Sequence, residues 1–321
     1  MTETSDPHSN STPDSVSVLT GVSNAAGQRL ARRATYASVF VASLLIIVKT
    51  GAWAETGSVS ILSSLVDSLL DAFASIVTLF AVHHSLTPAD KEHRFGHGAA
   101  EPLAALAQSA FITGSSILLL VQAGERLLNP REVQSTGLGV SVMVFSIVAT
   151  LCLVAFQTYV IRKSASLAIR ADSVHYKGDL LANIGVICAI LLTDLMGWVY
   201  ADPIFGLGIA IFLIWSAKSV AAEAYDMLMD RELPDEDRNR IKEIALWHSD
   251  VLSLHDLRTR RSGPYRFIQM HLEFNGQLTL NRTHAVADAV EQQIMSEFPG
   301  AQVIVHQDPG TPKETDKHAK G

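Results

Sequence analysis

Charge is scarce in this chain. Only 18% of its 321 residues are Asp, Glu, Lys or Arg, whereas 48% are hydrophobic and the mean hydropathy is +0.23. That balance excludes an ordinary soluble domain and points to several membrane spans. Basic residues are fewer than acidic ones and the net charge is −7, so a nucleic-acid partner is not expected. Cysteine is nearly absent. Cys152 and Cys188 lie in apolar runs and form no CxxC pair, which excludes a disulfide framework and a thiolate zinc site. There is no HExxH, the helix-borne signature of a zinc hydrolase. The first 28 residues are rich in Ser, Thr, Asp and Pro with almost no large apolar side chains, so they are expected to be disordered. They also lack a basic segment followed by an apolar core, so no cleaved signal peptide is expected.

What the chain has is long hydrophobic runs. Six are placed near Ala34–Trp53, Ser58–His83, Leu103–Leu128, Leu138–Ile161, Tyr176–Tyr200 and Pro203–Ala224. Each approaches the ~20 residues that a helix needs to cross a bilayer. Lys49 lies near the end of the first and is expected to snorkel to the interface. Arg29, Arg32, Arg33, Lys91, Arg94, Arg162, Lys163 and Arg170 fall on one side of the spans, against Arg126 and Arg131 on the other. The excess of basic residues places both termini in the cytoplasm. From about residue 225 the composition becomes that of a soluble domain. A helix from Pro234 to Trp247, strands over 251–260 and 265–274, a helix with Val286, Val290, Ile294 and Phe298 on one stripe, and a strand over 301–308 predict a small α+β sandwich. The expected organisation is a tail (1–28), a six-helix transmembrane domain (29–224), a cytoplasmic domain (225–309) and a flexible tail (310–321).

The second run, SVSILSSLVDSLLDAFASIVTLFAV, carries Asp67 and Asp71 near its middle. Four residues apart, they share one helical face. An ionisable group at mid-bilayer costs at least ~2.5 kcal/mol on insertion scales, so it is read first as functional. Two neighbouring carboxylates need a proton or a cation between them. His175 and Asp179, at the start of the fifth run, repeat the same spacing. Together the two pairs offer three carboxylates and one imidazole, a donor set suited to zinc or another small divalent ion. Asp172 is placed at the membrane boundary and not counted as a ligand, and Asn183 is a candidate hydrogen-bond partner for one. In the connection after the second span, Asp90, His93 and His97 form a second candidate set, with Gly96 and Gly98 permitting a tight path. Polar loops also carry such residues for solubility. The third candidate is His255, His271, His284, His306 and Asp308. His306 and Asp308 project to one strand face, and His271 lies opposite its strand's apolar side, as a binuclear zinc site or a scatter of surface histidines would have them.

Several stretches together resemble the cation diffusion facilitator family, in its bacterial ferrous-iron/zinc efflux pump branch. They are SILSSLVDSLLD (60–71), HRFGHGAAEPLAAL (93–106), ADSVHYKGD (171–179), HDLRTRRSG (255–263), THAVAD (283–288) and VIVHQDP (303–309). The resemblance runs from about Leu30 to Pro309. It implies a homodimer in the bacterial inner membrane: a multi-span α-helical protein with six transmembrane helices and a C-terminal ferredoxin-like cytoplasmic domain of the metallochaperone type. It further implies a transport site of Asp67, Asp71, His175 and Asp179 and a loop site of Asp90, His93 and His97. A cytoplasmic binuclear site of His255, His271, His284, His306 and Asp308 joins the protomers, with Gln307 as an extra ligand. The implied activity is alternating-access export of Zn2+, or of Cd2+ or Fe2+, against protons. The alternative is a membrane-embedded metal sensor or scaffold without transport. The chain departs from the family at Ala99, where relatives often have a Lys that pairs with an acidic residue, and at Pro102.

Overall fold

A computed structural model of the chain describes residues 16–129 and 137–310. The elements run α1 (Val16–Thr56), α2 (Val59–Ser85), α3 (Ala100–Leu128), α4 (Gly137–Ser164), α5 (Leu167–Met196), α6 (Ala201–Leu228), α7 (Asp235–Ala245), β1 (Val251–Ser262), β2 (Tyr265–Asn275), α8 (Leu280–Glu297) and β3 (Ala301–Gly310). The first six helices are each long and apolar enough to cross a membrane. In hydrocarbon, a backbone must satisfy its own amides and carbonyls, and a continuous helix does so. α3 packs along α6, α1 lies against α2 and α4, and α5 is flanked by α4 and α6.

Two expectations need correcting. The stretch up to residue 28 is not uniformly disordered, because α1 begins at Val16. Extending an existing helix is easier than nucleating one, so the span is prolonged at its N-terminal end. Residues 1–15, Arg131 and residues 311–321 lie outside the described residues. The fifth helix starts at Leu167 rather than Tyr176, so Asp172 lies inside it and is not at a boundary. Two devices set this start. Ser166 accepts a hydrogen bond from the Ile169 amide, and Glu101 of α3 accepts from the amides of Leu167 (2.6 Å) and Ala168 (3.4 Å). An acidic group at a helix N-terminus binds exposed N–H groups and opposes the helix dipole. Pro102 sits in the first turn of α3, where a proline forfeits no helical bond.

The C-terminal α+β domain has a three-stranded sheet in the order β1-β2-β3, with β1 antiparallel to β2 and β2 parallel to β3. Ile268, Met270, Leu272 and Phe274 alternate onto one sheet face. There they meet Ile241 and Ile244 of α7 and Val286, Val290 and Ile294 of α8. The helices therefore cover one face, and the other carries the histidines. A register shift between His255 and Arg258 coincides with a left-handed backbone at Asp256 (φ 47°).

The turn between β1 and β2 reaches the connection between α2 and α3. A Cβ on Gly98 would lie 2.3 Å from the Ser262 carbonyl oxygen, and one on Gly263 would lie 2.6 Å from that of Gly98. Only glycines permit so close an approach. Beside this seam the rings of Phe95 and Phe267 meet edge to face at 5.8 Å, and the Arg260 guanidinium stands 4.3 Å from the Phe267 centroid. Arg261 Nη2 donates to the Ala165 carbonyl at 2.7 Å, tying the turn to the α4–α5 joint.

Candidate metal centres

Within the spans, His175 Nε2 lies 2.8 Å from Asp71 Oδ1 and 3.7 Å from Asp179 Oδ2. α2 and α5 thus bring three donors to one point, and His175 is only 8% exposed. Asp67, one turn earlier on α2, is exposed and not part of this group. Asn183 donates to the backbone carbonyl of Asp179 at 2.9 Å, so it steadies the turn that carries the ligand. Two imidazole-accessible carboxylates and one imidazole fit a small divalent cation of borderline softness.

Two polar features around this point were not expected from the sequence. Lys49 does not snorkel to the interface. It is buried, and its Nζ donates to Ser68 Oγ (2.7 Å) and to the Ser64 carbonyl (3.1 Å) on α2. Asp172, only 1% exposed, holds four helices together. Its carboxyl group accepts from Ser38 Oγ of α1 (2.7 Å), Ser75 Oγ of α2 (3.3 Å) and Gln157 Nε2 of α4 (2.8 Å). Tyr176 extends the network through Ser75 at 2.8 Å. The available signal was Gln157, a large polar side chain inside an apolar run.

In the loop, Asp90 Oδ2 lies 3.3 Å from His97 Nε2, and Asp90 Oδ1 lies 3.4 Å from His93 Nδ1. The amides of His93 (2.6 Å) and Glu92 (2.9 Å) both donate to Asp90 Oδ1. These bonds, that from His93 foremost, hold the carboxyl below its ordinary pKa although it is exposed to water. The three side chains converge as a group able to hold a metal ion.

On the open sheet face, His255 pairs with His271 across β1 and β2, and His271 with His306 across β2 and β3. The three imidazoles therefore lie abreast. Asp308 divides its oxygens among them: Oδ2 is 2.8 Å from His271 Nδ1 and 3.3 Å from His255 Nε2, and Oδ1 is 3.1 Å from His306 Nε2. A carboxylate placed in this way can bridge two ions. His284 is not brought into this group but pairs with Asp288 on α8 at 3.5 Å. Gln307 has the opposite strand parity, shared with the core residues Val303 and Val305, and its Oε1 is buried without a hydrogen-bond partner. It does not stand with the histidines.

Residues 35–229 match the family model described as the cation efflux transmembrane domain, and residues 233–310 match that of the cation efflux protein cytoplasmic domain. The Cation-efflux pump FieF of Klebsiella pneumoniae is 49% identical over 283 residues, covering 88% of this chain and 94% of that protein. The pump of the same name from Yersinia enterocolitica is 46% identical over 291 residues, covering 91% and 97%. That from Salmonella choleraesuis is 49% identical over 281 residues, covering 88% and 93%. The chain belongs to the cation efflux family, as a membrane transporter and not an enzyme.

Proposed function

We propose that this protein is a divalent metal/proton antiporter of the bacterial inner membrane. It exports Zn2+, with Cd2+ or Fe2+ as alternatives, from the cytoplasm by alternating access. The observation that carries this reading is the convergence of Asp71, His175 and Asp179 inside spans α2 and α5. Asp67 is the fourth ligand, which joins when a cation draws it in from its exposed position. A carboxylate–imidazole site takes up metal only after losing protons, so the two cargoes compete for the same lone pairs. A site exposed in turn to each side then couples inward protons to outward metal without covalent chemistry. His175 Nε2 already hydrogen-bonds Asp71 at 2.8 Å with Asp179 3.7 Å away, the contacts a proton-loaded site would use.

The other two groups bind metal without carrying it across. Asp90, His93 and His97 form the loop site. His255, His271, His306 and Asp308 form a binuclear site on the cytoplasmic domain, and His284 reaches it only when α8 or its side chain moves. The open face that carries this site, and the matched cytoplasmic domain, support a homodimer joined there. Both termini face the cytoplasm, as the basic residues around Arg29 and Arg162 favour.

The test is zinc uptake into proteoliposomes under an imposed pH gradient, wild type beside Asp179→Ala. Uptake should follow the gradient and disappear in the variant. Undiminished flux in Asp179→Ala would refute the site. Zinc binding without flux in either protein would favour a sensor.

A further inference from the structure

The loop site has a neighbour that no other feature of the fold uses. His84 is the penultimate residue of α2, and its imidazole stands 4.4 Å from that of His97, inclined at 57°. His93 stands at a similar 4.6 Å and 45° from the same ring. Two imidazoles on one tetrahedral zinc, each at a Zn–N distance of ~2.0–2.1 Å, have ring centres ~5 Å apart. The cytoplasmic pairs His255–His271 and His271–His306, at 5.1 and 4.6 Å, show the same spacing. His97 supplies a second, independent sign. It is 7% exposed, its Nε2 faces Asp90, and its Nδ1 is buried without a hydrogen-bond partner. Burial fixes the ring, so Nε2 is held towards Asp90 as a pre-placed ligand atom.

We infer that His84 is the fourth ligand of the loop site, which binds zinc or a similar divalent cation as a closed His/His/His/Asp tetrahedron. The inference rests on the loop-site reading above and deepens it. Asp90, His93 and His97 already converge, and His84 is exposed at a helix end, so rotation of its side chain completes the set. Three protein ligands leave a position for water, whereas four close the shell and retain the ion. The last carbonyls of α2 carry the negative end of its dipole and favour a cation there. A metal held in this way fastens the loop to the helix that carries Asp67 and Asp71. The separation of His84 from Asp71 is about 20 Å at ~1.5 Å per residue, so the two sites do not share a ligand.

The experiment uses the full chain in detergent with Asp71→Asn and His271→Ala, which silence the other two groups. Co2+ serves as the probe metal, read by visible absorption, and Zn2+ displaces it. The parent should give the intense bands of four-coordinate cobalt. His84→Ala should give the weaker bands of a hydrated, higher-coordinate ion and lose at least ~10-fold in Zn2+ affinity, since even outer partners of a metal ligand are worth 10–100-fold. His83→Ala, next along the helix, should match the parent. An unchanged spectrum and affinity in His84→Ala would overturn the inference, as would an equal loss in His83→Ala. If Asp90→Ala binds as the parent does, the loop-site reading itself fails, a different result from an intact site indifferent to His84. His84→Gln, which keeps polarity and bulk, gives the same readout should the alanine variant not elute as a folded species.

Discussion

Removing the Asp172 side chain should loosen the transport domain by an amount that can be worked out. Asp172→Ala deletes three interhelical hydrogen bonds, from Ser38, Ser75 and Gln157. Only one donor loses its partner altogether, the second N–H of Gln157 Nε2. Gln157 Nε2 keeps Ser38 Oγ at 3.0 Å, Ser38 keeps the Ala34 carbonyl at 3.1 Å, and Ser75 keeps the Tyr176 hydroxyl at 2.8 Å. Each bond is taken at the average of ~0.6 kcal/mol for interhelical bonds in membranes, and the stranded Gln157 N–H adds roughly 1 kcal/mol. Three bonds give about 2 kcal/mol, and the stranded N–H and the void left by the lost carboxyl group add roughly 1 kcal/mol each. At ~2–4 °C per kcal/mol for a domain of this size, Tm falls by roughly 8–16 °C. Asp172→Asn keeps the shape and one acceptor oxygen but turns an amide towards donors, so it should fall between the two. The assay is thermal unfolding in detergent, followed by the fraction that still elutes as a folded species after heating. If Asp172→Ala melts within about 2 °C of wild type, the network does not hold α1, α2, α4 and α5 together, and the reasoning is refuted.

Other expectations follow from the same geometry. Gly98→Ala drives a methyl group into the backbone of Ser262, so the β1–β2 turn must withdraw; it should cost ~1–3 kcal/mol and accelerate amide exchange around Gly263, and unchanged exchange would contradict the close seam. Glu101→Ala uncaps α5 and should cost ~1–3 kcal/mol in thermal unfolding, with Glu101→Asp failing to restore it because the shorter side chain cannot reach the Leu167 amide. The loop should also respond to acid. Because the folded carboxyl of Asp90 titrates below its ordinary value, its contribution is present above about pH 4 and lost as pH falls through the depressed value. Exchange protection of the His93 and Glu92 amides should therefore hold at about pH 4 and disappear only in stronger acid, and loss already near pH 5 would contradict this.

The six spans were legible because a bilayer demands length and apolarity, and both can be read along a single chain. The sheet was legible in outline because Ile268, Met270, Leu272 and Phe274 alternate with polar neighbours. The pairing of Asp71 with His175 and Asp179 was legible because a charge in hydrocarbon needs a reason. Less legible was anything that depends on which helices adjoin. Asp172 reads as a boundary residue until Ser38, Ser75 and Gln157 arrive from three other helices. Lys49 reads as a snorkelling residue until Ser64 and Ser68 come within reach. His84 gave no signal because a histidine at the polar end of a span is ordinary until His97 folds back over it. Spacing alone also cannot show that His284 would face Asp288 and not the strand histidines.

Lys49 has a consequence for how the protein is made. An Asp, Lys or Arg at the centre of a helix entering alone costs ~2.5–3.5 kcal/mol; beyond the Arg29, Arg32 and Arg33 cluster towards its N-terminal end, α1 carries only Lys49, while α2 carries Asp67 and Asp71. Entering singly, α2 would be the harder of the two to commit to lipid. Yet only Gly57 and Ser58 separate α1 from α2, and Lys49 binds α2 at Ser64 and Ser68, the turn that carries Asp67. An α1–α2 hairpin should therefore enter the bilayer more easily than either helix alone, because Lys49 then meets Ser64 and Ser68 before the acyl chains.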